Sequence, residues 1–132
     1  MRGYLLDTGI FLLSVGLAER LNRDSRRLLE SADNELFLSA ASSWEISIKL
    51  ALGKLTLPEP ASLYVPKRLI AQGIRSLQIT HIHALMAGEL PGHHQDPFDR
   101  MLIAQAFTED LVLMTNDRQF EKYKVETLWC GK

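Results

Sequence analysis

Cysteine occurs once in the 132 residues, at Cys130. An internal disulfide is therefore excluded, as is any zinc site built on paired thiolates. No stretch reaches the roughly 18 consecutive apolar residues of a membrane-spanning helix. Neither sign of charge is in excess: 15 Lys and Arg stand against 16 Asp and Glu, a formal net charge of −1. The basic imprint that many nucleic-acid-binding domains carry is thus missing. Aromatic residues make up only 8% of the chain, and none of them reads as a platform for stacking bases. Arg2 and the apolar stretch Gly9 to Ala18 carry part of a secretory leader pattern. Asp7 interrupts that pattern and no small-residue cleavage site follows it, so the expectation is a cytoplasmic protein without a leader or a membrane anchor.

The rest of the composition is that of a globular protein, 46% hydrophobic and 23% charged, without repeats or low-complexity tracts. The length fits one domain over residues 1–132, large enough to bury roughly 65–70% of the surface its unfolded chain exposes.

Short apolar runs alternate with helix-like stretches. Tyr4–Leu6 reads as a buried strand, followed by a helix over Ile10–Leu17 and a second one capped near Asn22 and running to Glu30. Glu35–Leu38 is the next strand, and Ser42 or Ser43 is placed to cap the helix after it, with Gly53 as its stop. A helix over Ala61–Ala71 is expected to kink or split at Pro66 and to end at Gly73. Ile74–Ile79 reads as a strand and Thr80 as the cap of a helix over His81–Glu89. Pro97 opens a helix reaching Phe107. Leu111–Met114 is the clearest strand, and Val125–Trp129 is the last, after a helical turn at Arg118–Glu121. The order predicts an α/β fold: a mostly parallel central sheet of about five strands with helices on both faces.

Four acidic residues stand where such a chain changes direction. Asp7 closes the run Tyr4–Leu6, and Asp117 follows Thr115 and Asn116 at the end of another. Glu45 and Asp99 fall in the first turns of two expected helices. Parallel α/β sheets bring these junctions together along the carboxyl edge of the sheet, where ligands bind. Four carboxylates gathered there repel one another unless a divalent cation holds them, which points to Mg2+ or Mn2+ and to phosphodiester chemistry. With the four committed to a cation, 15 basic side chains face 12 acidic ones and the remaining surface is mildly basic.

Each residue has a plainer reading beside the functional one. Asp7 and Asp117 also suit helix caps and turns. Glu45, between Trp44 and Ile46, has to be exposed, paired or facing a metal, because a lone buried carboxylate is costly. In His93-His94-Gln95-Asp96-Pro97-Phe98-Asp99-Arg100, Asp96 is placed as N-cap, Pro97 as the first helical residue and Asp99 three positions in, where it can face the pocket. His93 and His94 are either auxiliary metal ligands or residues of a polar loop, the latter favoured because a hard cation prefers oxygen. Arg100 is a phosphate or partner contact or a surface ion pair. Arg23, Arg26, Arg27, Lys49 and Lys54 are candidate RNA phosphate contacts or simply a solvated surface.

These motifs resemble the PIN domain, and within it the VapC-type ribonuclease toxins of prokaryotic toxin–antitoxin pairs. The likeness is carried by Leu5-Leu6-Asp7-Thr8, Ser39 to Ile46, His93 to Ala106 and Met114-Thr115-Asn116-Asp117, in order along nearly the whole chain. It implies a Mg2+- or Mn2+-dependent endoribonuclease with its acidic quartet on Asp7, Glu45, Asp99 and Asp117. Thr115 matches a small hydroxyl position beside the last acid. The resemblance further implies a homodimer and a small VapB-type antitoxin that wraps the toxin and blocks its acidic groove. In this picture Asp7, Asp99 and Asp117 ligate directly or through water, and Glu45 ligates or orients the attacking water. Gly9-Ile10-Phe11 departs from the family branch, which often has a histidine after Asp-Thr, and leaves substrate preference open. Two other readings compete. A non-catalytic RNA-binding or protein-interaction domain keeping the same fold is disfavoured by the presence of all four acids. A phosphatase of another α/β family is disfavoured because Asp7-Thr8-Gly9 lacks the Asp-x-Asp pattern.

Overall fold

In the computed structural model, which describes residues 2–132, the chain forms one five-stranded sheet and six α-helices. Strand β1 (Gly3–Leu6) leads into α1 (Thr8–Gly16), a 3-10 turn (Ala18–Arg20) and α2 (Arg23–Glu30). Strand β2 (Glu35–Ser39), α3 (Ala40–Ala51) and α4 (Ala61–Gln72) follow, then β3 (Ile74–Leu77), α5 (His81–Glu89) and α6 (Pro97–Glu109). Strand β4 (Val112–Thr115), a 3-10 turn (Arg118–Lys122) and β5 (Thr127–Trp129) complete the described chain. The strand order is β3-β2-β1-β4-β5 and all four pairings are parallel.

The first strand of the chain is the middle of the sheet, and both of its faces are covered. Leu6 joins Leu38, Met114, Ile10, Phe11 and Ile46 in one core, while Leu5 joins Leu113, Leu102, Ile103 and Phe120 in a second. A strand buried on both faces needs apolar residues at consecutive positions, which is why Leu5-Leu6 and Val112-Leu113-Met114 read as unbroken runs. Each such fully buried side chain contributes roughly 1.5–3 kcal/mol.

Register sets the site. Leu6 lies opposite Leu38 on one side and Met114 on the other, so β1, β2 and β4 end level. The N–H of Asp7 donates to the carbonyl of Met114 at 3.0 Å, carrying the ladder one residue further. Asp7, the start of α3 and Thr115 are thereby brought to one edge.

Three local expectations are corrected. The cap of α3 is Ser39, whose hydroxyl accepts from the N–H of Ala41 at 3.0 Å; Ser42 and Ser43 lie inside the helix. Ser42 is unavailable for capping because its Oγ accepts a buried hydrogen bond from Thr8 at 2.9 Å. Helix α4 runs unbroken through Pro66. Ala61, Val65 and Leu69, at helical spacing, all pack on the first core and hold the helix on either side of the missing N–H. Helix α6 passes Phe107 and stops at Asp110, which takes a left-handed conformation at φ 54°; a short polar side chain tolerates this better than most.

Candidate metal centre

Asp7 caps α1, its Oδ1 accepting from the N–H of Ile10 at 2.7 Å. Its other oxygen accepts from the hydroxyl of Thr115 at 2.5 Å, and that same hydroxyl accepts from the N–H of Asp117 at 2.9 Å. Thr115 therefore ties the first acid to the last. Asp117 in turn caps the 3-10 turn through the N–H of Gln119. Asp96 caps α6 through the N–H groups of Phe98 and Asp99, at 2.8 and 3.2 Å, with Pro97 in the first turn. The cap reading of Asp96 is thus observed, and Asp99 sits at the third helical position.

Single ligand atoms of His94, Asp99 and Asp117 all lie within 4.8 Å of one another. The Nε2 of His94 is 2.7 Å from Oδ2 of Asp99 and 3.9 Å from Oδ2 of Asp117. That nitrogen is buried and makes no hydrogen bond of proper angle. A buried imidazole nitrogen with no well-formed partner, aimed between two carboxylates, is a donor set that fits a divalent cation.

Asp7 and Glu45 lie outside this close group, so the four acids expected at one site are not drawn into a single tight cluster, and they are linked to it through their charges. Burial pushes the Asp7 carboxyl up to about 6; its bonds from Thr115 and Ile10 oppose this, and the charges of Asp117 and Glu45 add to it. Burial likewise pushes Asp99 up to about 7, helped by Asp96 and Glu45 and opposed by the contact with His94. Both acids thus feel Glu45, although it is outside the close triad. Glu45 is buried and pairs with Lys49 one helical turn on, at 3.0 Å. The pairing answers the cost of burying that carboxylate, and it assigns Lys49 a partner within the site.

Other candidates find different places. His93 stacks edge-on against Tyr123, 5.3 Å between ring centroids, away from the triad. Arg100 is neither a free phosphate contact nor a surface ion pair. Its guanidinium donates to five carbonyls, those of Ala87, Gly88, Leu90, Pro91 and His94. It straps the loop between α5 and α6 and with it the backbone of His94. Tyr123 holds the same loop, accepting from the N–H of His94 at 2.8 Å and donating to the carbonyl of Pro91 at 2.9 Å. Arg23, Arg26 and Arg27 gather with Glu30 around a different cleft.

Two contacts beside the site were not visible in the sequence. Trp44 and Phe98, the neighbours of Glu45 and Asp99, meet edge to face with centroids 5.3 Å apart. The buried Thr8–Ser42 hydrogen bond, joining α1 to α3 beside Asp7, was also not legible from the pattern. A cavity of about 380 Å³ lined by residues such as Ser14, Leu29 and Gln72 lies away from the acidic cluster.

A family model described as the PIN domain matches residues 4–126. The chain belongs to the PIN domain family. Ribonuclease VapC16 of Mycobacterium tuberculosis (strain ATCC 25618 / H37Rv) is 42% identical over 67 residues, 51% of this chain and 48% of that protein. The chain thus matches about half the length of this curated relative. Among solved structures, VapBC2 from Rickettsia felis, bound to a DNA fragment from its promoter, superposes with a TM-score of 0.73 at 14% identity, covering 97% of this chain and 98% of that one. DNA-bound VapBC from Salmonella typhimurium gives 0.69 at 17% identity, with 97% and 98% covered. At such identities the likeness speaks for the fold alone.

Proposed function

We propose that this PIN domain is a divalent-metal-dependent endoribonuclease acting as the toxin of a toxin–antitoxin pair. The observation that carries the reading is the convergence of His94, Asp99 and Asp117 within 4.8 Å, next to an Asp7 that feels both Asp117 and Glu45. Mg2+ or Mn2+ is the cofactor of this reading, with Asp7, Asp99 and Asp117 as carboxylate ligands and His94 as an additional donor or a partner that orients Asp99. When bound, such a cation supplies Lewis acidity toward a phosphoryl oxygen and toward water.

The chain's own side chains divide the remaining work. The Thr115 hydroxyl fixes one oxygen of Asp7, leaving the carboxylate in a single orientation. Asp99 is held at the start of α6 by the Asp96 cap, and His94 lies against it. Glu45, its charge steadied by Lys49, is placed to accept a proton from or orient an attacking water. RNA is the substrate of the reading and the cytoplasm its location. The partner is a small VapB-type antitoxin, a role in keeping with the ribonuclease relative and with the VapBC complexes that share the fold. A homodimer is supported by apolar side chains left in water: Ile82 and Leu85 are 64% and 66% exposed on one face of α5.

The test is cleavage of RNA by the purified chain with Mg2+ or Mn2+, and then with excess EDTA. Cleavage is expected only with the cation, and Asp99→Asn is expected to lose several orders of magnitude in rate. Equal cleavage in both buffers would exclude the metal mechanism.

A further inference from the structure

Trp44 is 63% exposed, an unusual state for an indole on a well-packed helix. The other tryptophan, Trp129, is half-buried and has the Arg118 guanidinium 4.0 Å over its ring. Trp44 meets the Phe98 ring edge to face at an interplanar angle of 77°. An edge-to-face contact steadies an aromatic ring, and with 63% of Trp44 exposed much of the indole surface stays free for another ring.

The position of this pair follows from the site. Helix α3, which carries Glu45, packs against α6, which carries Asp99 in its first turn. Trp44 and Phe98 are the residues immediately before these two acids, and they touch across the same pair of helices. One helix crossing therefore sets an acidic pair and, a single residue step away, an aromatic pair. An acidic segment docking on Trp44 would meet like charges from Glu45 and Asp99. A nucleobase carries no charge, and stacks on an open indole whatever its identity.

Resting on the ribonuclease reading, we infer that Trp44, buttressed by Phe98, is the stacking surface for an unpaired base beside the scissile phosphate. Trp44 grips the nucleotide and thereby sets where the phosphate meets the carboxylates. The contact tolerates any base but demands that one be present.

The experiment uses a short RNA that the wild-type chain cuts, and the same RNA carrying a single abasic nucleotide at each position flanking the cut. At one flanking position the abasic RNA is expected to lose about tenfold or more in kcat/KM with wild type, the scale of one base–aromatic stack. Trp44→Leu is expected to show that loss already on intact RNA and to be indifferent to the abasic change, while Trp44→Phe restores most of the rate. Since Trp44 is exposed, both variants are expected to melt like wild type, which circular dichroism checks. Undiminished cutting of every abasic RNA by wild type overturns the inference, as does an abasic penalty in Trp44→Leu equal to that of wild type. If light scattering finds that Trp44→Leu breaks a dimer and its rate falls equally on intact and abasic RNA, Trp44 is an interface residue and the inference is wrong. If wild type cuts no RNA at all, the ribonuclease reading itself fails, and this one with it.

Discussion

Asp96 and Asp99 are the same residue type three positions apart, yet they hold different posts. Asp96 spends its carboxylate on the N–H groups of Phe98 and Asp99. Asp99 turns its own toward His94 and Asp117. Asn caps a helix about as well as Asp, so Asp96→Asn is expected to keep most of the cleavage rate while Asp99→Asn abolishes it. Parallel rate measurements on the two variants check this, and equal loss in both would place Asp96 within the site. The division was legible before the structure because caps obey a local rule: Asp before Pro, then a helix. The roles of Arg100 and His94 were not. Five carbonyls between Ala87 and His94 must curl around the guanidinium before Arg100 has a function, and no spacing in the sequence announces that. His94 reaches the site with its backbone held at both ends, its N–H by Tyr123, 29 residues away, and its carbonyl by Arg100.

At the level of elements, helix caps and strand runs were readable wherever neighbouring residues decide the outcome. Thr80 before α5 is one such case, its hydroxyl accepting from the N–H of His83 while the His83 ring accepts from Thr80. The Nδ1 of His83 being occupied in this way, its Nε2 carries the proton and faces Glu109 at 2.9 Å. Reading failed where tertiary packing overrules local preference, as at Pro66 and at Ser42. The element most exposed to mutation is the loop joining α5 to α6, since Arg100 and Tyr123 are what shape it. Arg100→Lys keeps the charge but cannot span five carbonyls. It is expected to cost roughly 1–3 kcal/mol of stability, the scale of charge-assisted bonds lost in part to water. It is also expected to lower cleavage more than the stability loss explains, because His94 loses its seat. Melting curves and rates taken on the same preparation test this; an unchanged melt with an unchanged rate would show that the loop holds itself.

For the molecule as a whole, the acidic edge carries a cost set first by burying carboxylates and only then by their mutual repulsion. Asp7 and Asp99 titrate near 6 and 7 in the folded, metal-free protein, against about 4 in an unfolded chain. The folded state therefore retains protons that the unfolded chain has already released. Its stabilisation by these groups is complete below pH 4 and is lost as pH rises through 6 and 7. For buried Asp7 the loss is roughly 2–3 kcal/mol, or several degrees of melting temperature. In EDTA the chain is expected to melt lower at pH 8 than at pH 5. Mg2+ binds the ionised cluster of the folded state alone, so it is expected to raise the melt more at pH 8 than at pH 5. A flat pH profile with no metal shift would mean that the acids are separate caps and turns. The sheet order has one more consequence, which concerns biosynthesis. The strand that lies at the centre is made first, and its neighbour β4 is more than a hundred residues behind it. The hydrogen bond from Thr115 to Asp7 bridges 108 positions, so a ribosome has to release almost all of the described chain before the first acid meets its partners. Until β4 has docked beside β1, Asp7 lacks Thr115 and the acidic edge stays unassembled.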